Sequence, residues 1–325
     1  MEKKLFLSRC LSQTGDLVFN TLLDLWILNV FGSSEVLGTS LAVASIANFL
    51  ASFLGGYFAD SPNMGKYILL SEFLSFIISI LNFFYLEIIG NNKPSIFIIN
   101  IFLFLLNFNG FLLSPLMKKA ISTYVEKEHI PKYNQWISIT GQLLTVSVPA
   151  VSTFYYSKKL LSISDALIIN AISFLIALIV LTNLLHLKSY TINKQNKYSQ
   201  AIFLIFKNRK LQLIIILGGL LSLFAAELNV FFPFFVSKTL VLQSLYGTVI
   251  SFQAIGGICG ALSLKLTKYS NSLKLEFFFI LLLFFTLINT GILQNIYSVY
   301  LLSFASNLVL VRYGVLSQTF IQLTI

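Results

Sequence analysis

Four polar residues on one apolar stretch carry the first chemical signal in this chain. Gln13, Asp16, Asn20 and Asp24 follow one another at intervals of three, four and four, the spacing that puts side chains on one stripe of a helix. An ionised carboxylate within a bilayer costs about 2.5–3.5 kcal/mol on insertion scales, so acids inside apolar runs mark pathways by default. Asp24 is then a cation contact or proton-binding carboxylate on a wet cavity, or an acid satisfied by hydroxyls and amides in helix packing. Asp16, closer to the start of the run, is read as part of the same pathway or as a gate residue. Glu227 and Arg312 each sit near the middle of a later apolar run, and a pair between them would settle two buried charges at one place, in a cavity or as a clamp between helices. Asn100, Asn107 and Ser114 recur every seven residues and offer hydrogen bonds to a solute or to a neighbouring helix. The histidines, His129 and His186, are isolated, and Cys10 and Cys259 lie far apart, so neither metal-ligand spacing nor a disulfide framework is present. Glycine-rich phosphate loops and nucleophile–base constellations are also missing, which excludes a nucleotide-driven pump or an enzyme and leaves no cofactor to expect.

The elements that must hold these residues are read from composition. Of 325 residues, 57% are hydrophobic and 10% charged, against a usual charged share of about 25%. A mean hydropathy of +0.85 leaves too little polar surface to cover a soluble globule. Runs long enough to cross a hydrocarbon core as helices, about 20 residues each, fall at 12–31, 38–59, 67–89, 95–117, 134–157, 162–187, 211–236, 242–267, 275–293 and 297–323. The expected fold is all-α and polytopic, in two bundles. The net charge of +10 serves orientation rather than nucleic acid. Counted on alternate sides of these runs, Lys and Arg number 17 against four, with Arg312 inside the last run completing the 22. The richer side is cytoplasmic, and it holds both termini of a multi-pass cell-membrane protein. Lys3, Lys4 and Arg9 before an apolar stretch resemble a signal peptide, but Asp16 and Asp24 interrupt that stretch, so the segment is expected to stay as the first helix. Glu72 and Glu276 are expected at near-interface helix ends, and Glu35, Glu87 and Asp165 at solvated outer boundaries.

A basic, polar linker at 188–210 separates a six-helix bundle over 1–190 from a four-helix bundle over 211–325. A shift of 209 residues superposes Asn20, Gly38 and Thr39 on Asn229, Gly247 and Thr248, a faint repeat of the kind secondary transporters use. Between the second and third runs stands Gly55-Gly56-Tyr57-Phe58-Ala59-Asp60-Ser61-Pro62-Asn63-Met64-Gly65-Lys66. This segment resembles the loop signature of the major facilitator superfamily. Ser12-Gln13-Thr14-Gly15-Asp16, Pro115 ahead of Lys118 and Lys119, and Gly247 followed by Gly256, Gly257 and Gly260 are similar to its drug and macrolide efflux branch. The signature departs from the usual pattern at Ser61, where a basic residue is customary, and only Gly141 and Val148-Pro149 represent the antiporter motif of the fifth span. The resemblance implies that the first, fourth, seventh and tenth spans line a central cavity. It makes Asp16, Asn20, Asp24, Asn107, Glu227 and Arg312 the substrate and proton pathway, and Gly56, Asp60 and Lys66 a cytoplasmic gate in which Gly56 lets two helices approach closely. It implies proton-coupled efflux of a small amphipathic solute by alternating access, with the lipid bilayer, the solute and protons as partners. Family members have twelve spans, so the resemblance also implies a chain short of the last helical pair. The competing expectation is a non-transporting membrane protein, a remnant or a subunit that binds another helix at the incomplete bundle.

Overall fold

The structure is a computed structural model, describing residues 2–90, 93–182, 207–236, 240, 246–264 and 272–324. Among the described residues the chain is helical throughout: α1 (Glu2–Phe31), α2 (Ser34–Ala59), α3 (Met64–Ile89), α4 (Ile96–Tyr124), α5 (Ile130–Ser157), α6 (Ile163–Leu181), α7 (Arg209–Phe234), α8 (Tyr246–Ser263), α9 (Ser272–Leu293) and α10 (Ile296–Thr324). Several helices outlast the apolar runs that predict them. Helix α1 begins at Glu2 and α4 continues past Lys118 and Lys119 to Tyr124, because a helix of 29 residues is about 44 Å long and overreaches a 30 Å hydrocarbon core. Local chemistry fixes the ends. The Ser33 hydroxyl accepts from the backbone amides of Glu35 and Val36 at the start of α2. Ser162 and Asp165 form a reciprocal capping box at the start of α6, so Asp165 is a capping group of α6.

Among the described residues, six helical segments are long and apolar enough to cross a membrane: Glu35–Ala59, Met64–Ile89, Ile96–Tyr124, Ile130–Ser157, Ile163–Leu181 and Ile296–Gln322. Burial runs opposite to that of a soluble protein. On α3 the buried face carries Ser71, Glu72, Ser75, Ser79 and Asn82, whereas Leu70, Phe73, Leu81 and Phe84 are exposed. On α2, Ile46, Phe49 and Phe53 face outward. Large apolar side chains outside and polar ones inside suit a hydrocarbon solvent, which cannot satisfy polar groups.

The chain forms two compact units, residues 1–127 with 147–191 and residues 128–146 with 192–325. In the first, α1 packs on α6, α2 on α4, and α3 on both α4 and α6, around Phe19, Leu22, Ile27, Ile99, Leu103 and Leu167. The helices close up where side chains are small. An alanine Cβ at Gly15 would stand 2.0 Å from Ser173 Oγ, and one at Gly55 would stand 2.4 Å from Pro115 Cγ. Gly55 is thus the close-packed glycine of α2 against α4, whereas a Cβ at Gly56 would meet nothing within 4 Å among the described residues, since one residue turns a helix by about 100° and points Gly56 away from α4.

In the second unit α8 and α10 are packed closely, and α9 and α7 lie against α10. Gly256 and Gly260 admit the backbone of Phe304 and Leu308, the small-xxx-small contact of membrane helices. The first half of α5 joins this unit through amides. Asn134 Nδ2 donates to Thr319 Oγ1 at 2.9 Å and to Gln322 Oε1 at 2.6 Å, and Gln318 Nε2 donates back to Asn134 Oδ1 at 3.3 Å. Asn307 Nδ2 donates to Gln142 Oε1 and to the Gln253 carbonyl.

Candidate functional site

The helical spacing of the first polar stripe has a direct consequence within the first unit. Helix α1 presents Arg9, Asp16 and Asn20, and α4 presents Asn107 and Ser114, to one open pocket of about 200 Å³ whose other walls include Phe19 and Phe111. Asn107, Phe111 and Ser114 share a face because intervals of four and three return a helix to the same side. The pocket thus combines one carboxylate, one guanidinium, carboxamides, a hydroxyl and two aromatic rings. Such a lining can bind a small solute that is part polar and part apolar, with the few convergent polar groups fixing its orientation.

Two members of the predicted sets lie elsewhere. Asp24 is half-buried and does not line the pocket: eight residues after Asp16 it stands about 12 Å further along the axis and about 80° around it. Asn100 faces α2, where it accepts from the Ser40 hydroxyl at 2.7 Å, so the seven-residue series on α4 divides into one interhelical bond and two pocket groups.

Arg312 is wholly buried, and its Nη1 donates to Ser263 Oγ, at the end of α8, at 2.6 Å. A guanidinium at a helix C-terminus answers the negative end of the helix dipole, which anchors α10 to α8. Glu227 falls on α7, but its side chain lies outside the described residues, as do residues 188–206 of the linker, Glu276 and His186. The cytoplasmic loop group is in place: Asp60 is exposed and lies 3.6 Å from Lys119 Nζ of α4, while Lys66 is exposed at the start of α3. The ion pair ties the α2 end to the α4 end within one unit, a solvated contact worth at most about 1 kcal/mol.

Among the described residues the most deeply buried acid is one that hydropathy places at an interface. Glu72 is 1% exposed, and both of its carboxylate oxygens lie 3.2 Å from Ser12 Oγ of α1. Arg9 and Asp16 are close enough to act on it electrostatically. Beside it Asn109 donates to the Ser71 carbonyl and Ser75 Oγ, and accepts from Ser71 Oγ. A sequence signal for this seam exists: residues 72, 75, 79 and 82 are polar at intervals of three, four and three, the same rule that marks α1. Among the described residues no group of three or more His, Cys, Asp or Glu is arranged to hold a metal ion.

Comparison with known proteins bears on this arrangement. No curated sequence matches the chain. Two solved structures are similar over its whole length, both of a bacterial homologue of the iron transporter ferroportin in the outward-facing state, the second soaked with iron. They share 17% and 16% of residues at TM-scores of 0.67 and 0.72, and each alignment covers 100% of this chain and 84% of the other. The sequence model of the Major Facilitator Superfamily matches residues 5–325. An all-helical chain with lipid-suited surfaces, a polar pocket within its first helices and that match over nearly its entire length belongs to the major facilitator superfamily of membrane transporters.

Proposed function

We propose that the chain is a proton-coupled carrier that exports a small amphipathic solute by alternating access, crossing the cell membrane with ten helices in two bundles and keeping both ends in the cytoplasm. One observation carries the reading: Asp16, Asn20, Asn107 and Ser114 meet at a single pocket between α1 and α4. Asp16 would hold the cationic or hydrogen-bonding end of the solute, the amides and hydroxyl would orient it, and Phe19 and Phe111 would face its apolar part. Asp24, Glu227 and Arg312 would extend the pathway, and Gly56, Asp60 and Lys66 would form the cytoplasmic gate. A carboxylate in or beside the pocket that is charged in one step and protonated in another supplies the coupling.

The test uses purified chain in proteoliposomes carrying a proton gradient, with a fluorescent lipophilic cation as probe. Wild type should accumulate the probe, and Asp16→Asn should lower its apparent affinity by about 10- to 150-fold, the effect of losing a charge-assisted contact of about 1.5–3 kcal/mol. Undiminished transport by Asp16→Asn, with Asp24→Asn and Glu227→Gln equally silent, would refute the assignment. The hard oxygen donors around Asp16 favour a second reading, in which the cargo is a metal cation, as the description of the structural neighbours as iron-transporter homologues suggests. Radioactive ferrous ion in place of the dye separates the two.

A further inference from the structure

The pocket does not employ the acid behind it. Glu72 has two oxygens and one donor, because both contacts are to Ser12 Oγ and a hydroxyl has a single hydrogen. Among the described residues no cation stands within 4 Å of it. The groups that face it are few. Helix α1 brings Arg9 and Asp16, and α4 brings Lys118 near Arg9. The one titratable residue of α6, Asp165, is held in its capping box, and α2 carries only Glu35 and Tyr57, near its two ends. Asp16 and Glu72 both lie within electrostatic reach of Arg9, and an ionised Glu72 would hold its charge in a place almost without solvent. A protonated Glu72 fits the same atoms without that cost, since its O–H can donate to Ser12 Oγ.

A second observation points the same way. Beyond Glu72 the buried face of α3 continues through Ser75, Ser79 and Asn82, and Ser79 Oγ and Asn82 Oδ1 have no hydrogen-bond partner among the described residues. On the helices alongside, neither polar atom of the fully buried Asn170 on α6, and not Ser8 Oγ on α1, has one either. Asn170 stands against Gly15, next to Asp16 in the chain. Buried polar atoms that the protein leaves unanswered are the usual places of internal water, and water beside a buried acid is a route for protons.

We infer that Glu72 is the proton-binding group of the first unit, charged and discharged through Ser12 and Asp16 at the floor of the α1–α4 pocket, so that proton and solute use adjacent but distinct places. The inference rests on the proton-coupled reading above. In the loading step an O–H bond breaks on Asp16 and one forms on Glu72, the Ser12 hydroxyl giving its hydrogen to Glu72 and taking the one from Asp16, whose carboxylate is then balanced by Arg9.

The experiment measures two activities of the full chain in vesicles with the same fluorescent cation: uphill accumulation driven by a proton gradient, and exchange of internal for external probe without one. With one proton per solute, each unit of pH gradient supports about tenfold accumulation. Glu72→Gln should bring that ratio to about one while exchange remains as in wild type, whereas Asp16→Asn should lose both. Undiminished accumulation by Glu72→Gln, or equal loss of exchange in a monodisperse protein, would overturn the inference. A wild type that ignores the gradient in uphill transport yet exchanges the probe would instead refute proton coupling itself, and the inference with it. A readout on unmutated protein covers a variant that does not fold: a hydrophobic carbodiimide, which reacts with protonated buried carboxyls, should modify Glu72 in acidic buffer and fail to do so in alkaline buffer. Lack of a Glu72 adduct in acid would overturn the assignment.

Discussion

Replacing Gly256 with alanine tests how α8 is seated on α10. An alanine Cβ there would stand 2.1 Å from the Phe304 carbonyl oxygen and 2.8 Å from its carbonyl carbon. One turn on, Gly260 meets Leu308 in the same way, with 2.3 Å to the carbonyl oxygen, so α8 lies along the backbone of α10 over two turns. Ordinary contact needs about 3.5 Å, and a main-chain carbonyl cannot rotate aside, so α10 would have to retreat by roughly 1 Å or more. Overpacking of this kind costs about 1–3 kcal/mol, and a contact made wholly with backbone belongs near the upper end. Alanine returns about 1 kcal/mol through its better helix propensity. The net loss is about 2 kcal/mol, or roughly 4–8 °C in the unfolding midpoint of a unit of this size. Gly291→Ala provides the control, since a Cβ there meets nothing within 4 Å; it should raise the midpoint by a few degrees. Both are measured in detergent by the loss of monodisperse protein on heating, followed by fluorescence after size exclusion. A Gly256→Ala protein as stable as Gly291→Ala would refute the close seating of the two helices.

Asn109→Leu would remove the amide's bonds to the Ser71 carbonyl and to the hydroxyls of Ser71 and Ser75, leaving the Ser71 hydroxyl only its contact with the residue-109 carbonyl, and should cost about 1–3 kcal/mol in the same thermal assay. Gly15→Ala pushes a methyl against Ser173 and Asn170; it should destabilise the first unit by about 1–3 kcal/mol, and shortening Ser173 to alanine in the same chain should recover part of that. Asp60→Asn removes an exposed ion pair and should change the midpoint by less than about 1 kcal/mol in equivalent terms, so any larger effect on transport would have to come from gating rather than from folding.

Spacing along one helix was legible in the sequence, and contact between helices was not. The stripe of Asp16 and Asn20 on α1 and the pair Asn107 and Ser114 on α4 follow from intervals near 3.6, and those four residues meet at the pocket. Asp24 shows where the rule fails: intervals of four drift by about 40° each, and two of them carry the carboxylate off the pocket face. Glu72 was misplaced for a different reason. It follows a polar loop, and an acid near the start of an apolar run looks interfacial, yet its helix already begins at Met64, so eight residues, about 12 Å of rise, separate it from that end. In the second unit Asn134 and Gln322 are 188 positions apart, and no local pattern tells one amide that its partner is the other.

Hydropathy ranks helices by how well they face lipid, and that makes it a poor guide to the helix that does the work. Helix α1 is absent from the segments greasy enough to span a membrane by composition, although it is packed on α6 and supplies Arg9, Asp16 and Asn20 to the pocket. A helix shielded by its neighbours can spend its surface on carboxylates, amides and hydroxyls, because protein groups rather than hydrocarbon meet them. Helix α2, with Ile46, Phe49 and Phe53 turned outward, is the opposite case, easily recognised as a span and contributing no residue to the pocket. The same reasoning explains α3, whose apolar outside conceals a polar inside. For a carrier in this fold, the hydropathy of a helix therefore does not tell which of its residues meet the cargo: Asp16 and Asn20 sit on α1, which is no candidate span, whereas Asn107 and Ser114 sit on the inner face of α4, which is one.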